Sequence, residues 1–79
     1  MPENVKKFIT KIPGIKSGTP VIKGTRVSVS EIIDYFEEDK FIKQVINSLK
    51  SEGVIVTRDE IFAALEYAKL ASHETSKKD

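Results

Sequence analysis

Cysteine and tryptophan are absent from this 79-residue chain, and histidine and methionine occur once each. Without cysteine there can be no disulfide framework and no thiolate metal site. His73 lies in a polar tail where nothing would orient it, and no Asp or Glu has a His or Cys companion at metal-ligand spacing. Long apolar runs are missing too; nothing approaches the roughly 20 residues of a membrane helix. The opening MPENVKKF carries no apolar segment of the signal-peptide kind, so a cytoplasmic location is expected. These absences argue against an enzyme and against a membrane protein. They leave no catalytic residue, metal, cofactor or small-molecule substrate to assign.

One loop imitates a nucleotide site. Gly18 to Thr25 contains Gly, Lys, Gly and Thr, but Lys23 precedes Gly24, and Pro20 removes an N–H from the cradle such loops require. Nucleotide hydrolysis is not expected.

Charge is what the chain has in abundance, and it is unevenly spread. The net charge is +1. Residues 1–26 hold six Lys and Arg against one Glu, a balance of +5. Residues 27–66 hold four against nine Asp and Glu, a balance of −5. Such segregation points to two faces with different partners, or to copies that meet head to body. A single domain of this size buries only about 60% of its unfolded surface, so further burial in a homodimer is expected.

The pattern predicts a short β ribbon followed by three helices, a mainly α fold ordered over about residues 8–71 with a disordered tail, 72–79. Residues 1–7 read as frayed. Phe8 to Ile12 pairs with Thr19 to Ile22 in an antiparallel ribbon, with Gly18 and Gly24 supplying turns. Ser28 and Glu31 form a capping box for the first helix, about Val29 to Glu38, whose stripe is Val29, Ile32, Ile33 and Phe36. The second helix is expected from Lys40 to about Ser51, capped by Asp39 and burying Phe41, Ile42, Val45, Ile46 and Leu49. Gly53 then serves as its left-handed C′ residue. Thr57 and Glu60 repeat the capping box for the third helix, Arg58 to about Ala71, with Ile61, Ala64, Leu65 and Ala68 inward and Ala63 outward.

Two kinds of partner follow. The second and third helices form a helix-turn-helix candidate, and Lys11, Lys16, Lys23, Arg26 and Arg58 are the residues available to DNA phosphates. Against base reading, Arg58 is surrounded by carboxylates. Alternatively, Val54, Ile55, Phe62, Tyr67 and Leu70 offer apolar surface to a protein partner or a second copy.

Thr19 to Val27, TPVIKGTRV, resembles the opening signature of a small prokaryotic family known as domain of unknown function 433. Thr57 to Ala68, TRDEIFAALEYA, is similar to its closing motif. Ser28 stands where the family usually has Pro, and Lys50 to Val56 is longer than the family's link. The resemblance implies a homeodomain-like helical fold and an antitoxin role, neutralising a PIN-like ribonuclease toxin, with autoregulatory DNA binding. The alternatives are a DNA-binding transcriptional regulator without a toxin, and a structural oligomerisation module.

Overall fold

Residues 3–8 carry an acid first and two lysines last, the polarity that a helix dipole favours, and this segment is helical where the sequence suggests fraying. The computed structural model describes residues 2–77, with side chains through residue 72. Helix α1 (Glu3–Phe8) is held by one buried side chain, Val5, and packs on the last helix of the chain. Burial of that single valine overrides the weak intrinsic helicity of a six-residue segment.

The ribbon follows at once. Strand β1 (Ile9–Thr10) pairs antiparallel with β2 (Val21–Ile22), Ile9 opposite Ile22 and Thr10 opposite Val21. The expected pairing is therefore present, but each strand is only two residues long, because α1 claims Phe8. β2 is hydrogen-bonded on both sides. Beyond β1 on one flank, it meets the segment after the corner: the Ile22 N–H donates to Val27 O, and the Val29 N–H to Pro20 O. The corner itself depends on Gly24, at φ +81°, and on Thr25, whose hydroxyl donates to Ile22 O and accepts from the Val27 N–H.

Three further helices complete the fold, which is mainly α with an N-terminal β ribbon as expected, though α1 precedes the ribbon and makes four α-helices among the described residues instead of three. Helix α2 (Val29–Glu38) has its full capping box: the Glu31 N–H donates to Ser28 Oγ, and the Ser28 N–H donates to Glu31 Oε1, both at 3.1 Å. Helix α3 (Ile42–Ser51) starts later than predicted and has no side-chain cap. Asp39 ends α2 instead, its N–H donating to Tyr35 O, and its carboxylate accepts a 2.7 Å bond from the Ser48 hydroxyl. Phe41 occupies the N-cap of α3 in extended conformation and is 67% exposed, so it is not the buried residue expected from spacing. Helical spacing applies only from the first helical residue onward, so it does not place an N-cap residue on the buried face.

α3 closes with a Schellman motif. Gly53 lies at φ +86°, its N–H donating to Lys50 O while the Val54 N–H donates to Leu49 O. Helix α4 (Arg58–Lys77) opens on the second capping box, Thr57 with Glu60. It continues through most of the segment expected to be disordered; residues 78 and 79 of that segment lie outside the described residues. Val45, Leu49, Ile61 and Ile32 are the deepest side chains of the helical core, and Val56 joins them under the connection to α4. Ala63, expected outward, is buried, because α1 covers that side of α4. Among the described residues no helix is long and apolar enough to cross a membrane.

Two alanine substitutions separate backbone strain from crowding. No atom lies within 4 Å of a Cβ built on Gly14 or Gly53, but only Gly53 has positive φ. Gly53→Ala is expected to cost about 1 kcal/mol, whereas Gly14→Ala leaves stability unchanged or raises it by a few tenths. Urea unfolding of the two variants checks this.

Candidate functional site

Amphipathic packing of α2 and α3 leaves a concave surface between them. α2 buries Val29 and Ile32 and turns Asp34, Glu37 and Glu38 to solvent. α3 buries Val45 and Leu49. Between their polar flanks lies an open groove of about 780 Å³ lined by Glu31, Asp34, Glu37, Glu38, Asp39 and Glu52, with Tyr35, Ser48 and Ser51. Six carboxylates line it, and no Lys or Arg does.

Glu31 alone of these six has an ionic partner among the described residues: Lys16 Nζ lies 3.1 Å from its Oε1. Partial burial pushes this carboxyl up, but the Ser28 N–H, the Lys16 ammonium and the Ser28 hydroxyl together outweigh burial and hold it below its ordinary value. Tyr35 lies in the same row as Glu31 and Asp39, four residues from each. Burial raises its phenol pKa, and the Glu52 carboxylate as acceptor and charge, then Glu31 and Asp39, raise it further. The groove's negative field thus acts on the one aromatic ring inside it. Glu31–Tyr35–Asp39 at i, i+4, i+8 was a signal available from the sequence. Glu52 was not, because only the turn that ends α3 brings it across to Tyr35. Among the described residues no group of three or more His, Cys, Asp or Glu could hold a metal ion.

The basic residues named from the sequence do not converge in the same way. The antiparallel register puts Lys11 and Lys23 at opposite ends of the ribbon, with the Lys23 N–H donating to Phe8 O. Lys23 and Arg26 share the corner after β2, both exposed. Lys16 is engaged by Glu31 and sits in a left-handed run with Ser17 and Gly18, at φ +50°, +57° and +81°. Arg58 stacks on a ring of its own helix, its guanidinium carbon 5.7 Å from the Phe62 centroid.

The apolar residues divide as well. Val54 is half-buried against the core, Ile55 is 71% exposed, and Phe62 is 45% exposed. Tyr67 packs on the core and lines a small apolar groove of about 360 Å³ with Pro20, Val29 and Ile33; Leu70 is half-buried. His73 falls within α4, and its side chain lies outside the described residues.

Two titrations test these electrostatics. A carboxyl held low in the folded state stabilises the fold above the ordinary Glu range, near pH 4.3, and that contribution disappears as pH falls through the folded value. Between about pH 5 and pH 3 the stability of the wild type should therefore fall more steeply than that of Glu31→Gln, which keeps a capping side chain without the charge. In a Tyr67→Phe background, absorbance titration should place Tyr35 above the usual phenol value of about 10, and Glu52→Gln should bring it down.

A family model described as a protein of unknown function, DUF433, matches residues 9–68 of the chain. That span runs from the first ribbon strand to the middle of α4 and takes in the acidic groove. No curated protein and no solved structure matches the chain. With the match covering most of its length, the chain belongs to the DUF433 family.

Proposed function

We propose that this protein is an antitoxin-type binding module whose acidic groove seats on the basic, RNA-binding cleft of a PIN-like ribonuclease and blocks it. The observation carrying this reading is the α2–α3 groove, with six carboxylates and no cation on its lining. A concave surface of one sign attracts a partner of the other sign and speeds their encounter. A ribonuclease must present cations to its phosphate-rich substrate, so a carboxylate-lined surface competes for the same cleft. The family resemblance supplies the class of partner, and the groove supplies the complementarity.

The groove's one carboxyl with a resolved shift, Glu31, is held low, the opposite of an acid tuned to give up its proton near neutrality. Its neighbours Asp34, Glu37 and Glu38 are exposed, where they can meet a partner's lysines and arginines. DNA binding through the basic corner has less support, because the ribbon separates Lys11 from Lys23 and an intramolecular pair occupies Lys16.

Co-expression with the product of the adjacent reading frame tests the proposal. The expected result is a salt-sensitive complex in which ribonuclease activity is suppressed. Glu37→Lys with Glu38→Lys should weaken that complex about tenfold or more while the fold persists. Failure of the wild type to bind or inhibit the ribonuclease would sink the reading. Binding of promoter DNA abolished by Lys23→Glu with Arg26→Glu would replace it with the regulator reading.

A further inference from the structure

Helix α4 carries a charge pattern along one row beside α1, where Arg58 stacks on Phe62 and Phe62 borders a shallow groove with Glu3, Lys7 and Phe8. Arg58, Phe62 and Glu66 follow one another at i, i+4 and i+8, along a single ridge with steps of about 6 Å. Arg58 is exposed, Phe62 is 45% exposed, and Glu66 is half-buried. Among the described residues neither Arg58 nor Glu66 has an ionic partner. The sequence of this ridge is cation, aromatic, anion. Turned end for end by a two-fold axis through Phe62, it becomes its own complement. Phe62 meets Phe62, and each Arg58 meets the Glu66 of the other helix.

We infer that two copies of this chain associate through an isologous, antiparallel α4–α4 contact centred on Phe62, with Arg58 and Glu66 pairing reciprocally across it. A two-fold interface requires a patch that complements itself, and the order of charges on this ridge satisfies that requirement. Ring-on-ring contact at the axis places an aromatic anchor at the centre and the two ion pairs at the rim, the usual anatomy of a small interface. The acidic groove cannot play this part, because six carboxylates facing six would repel. The apolar groove beside Tyr67 lacks a projecting side chain: the exposed large hydrophobics are Ile12, Phe41, Ile55 and Phe62, and none of them lines it. Placing the contact on α4 leaves both acidic grooves of the dimer on other helices, so this inference stands or falls separately from the ribonuclease reading.

Sedimentation equilibrium over a range of concentrations, with circular dichroism confirming the fold, tests it by charge exchange. The wild type should dimerise. Arg58→Glu alone and Glu66→Arg alone each set like charges opposite one another and should raise the dimer Kd about tenfold or more. The double reversal should restore dimerisation. Mixing the two single variants in equal amounts should give a heterodimer, since each then supplies the charge the other lacks. Because the chain has no cysteine, Phe62→Cys introduces a single thiol that should form a disulfide-linked dimer under mild oxidation, whereas Asn47→Cys on α3 should not. That crosslink decides the matter even if a charge variant folds poorly. A wild type that stays monomeric, single reversals without effect, a double reversal without recovery, or equal crosslinking at the two cysteines would overturn the inference.

Discussion

Ser28 is the joint on which the fold turns. It is the only buried polar residue among those described, and every polar group it brings inside is used. Its bridge with Val21 attaches the corner to β2, and its hydroxyl and N–H close the capping box with Glu31. Through Glu31 the same joint reaches Lys16 and ties down the left-handed run 16–18. One residue therefore sets where the ribbon ends, where α2 begins and how the loop between the strands lies against both. A buried polar group that lost these partners would cost the full desolvation penalty, so the arrangement is tightly specified.

The direction of α2 fixed at that joint determines the chain's electrostatic character. With Val29 and Ile32 inward, the helix has to present Asp34, Glu37 and Glu38 to solvent, and α3 lies so that Asp39 and Glu52 face the same space. The bonded pair Asp39 and Ser48 lies on the groove's lining, as does Tyr35 beside Glu52. The sum is a surface of one sign on a protein whose overall charge is close to neutral. Of the balancing cations, Lys11 and Lys23 lie at opposite ends of the ribbon, and Lys16 is paired with Glu31.

Local signals in the chain were reliable wherever side chains act on backbone within three or four residues. Both capping boxes, the left-handed Gly53 with its Schellman bonds, and the limits of α2 were legible in this way. Structure departs from local pattern where a distant element intervenes. The six residues of α1 are stabilised by Val5 lying against α4, a contact with no local signature. Helical periodicity turns Ala63 outward, but α1 covers a second side of α4 and buries it. The type and position of Asp39 suit a cap for α3, but its carboxylate reaches Ser48 once α3 has packed alongside.

Legible in the chain alone were the capping boxes that start α2 and α4, the glycine that stops α3, the separation of positive from negative segments, and the family to which the chain belongs. These depend on neighbours along the chain or on composition alone. Which charges stand together depends on how the helices pack. Carboxylates along α2 and at the end of α3 gather into one groove, while Lys11 and Lys23 stand at opposite ends of the ribbon and Lys16 is taken up by Glu31. Electrostatic fields sum over distance in space, and helix packing sets that distance.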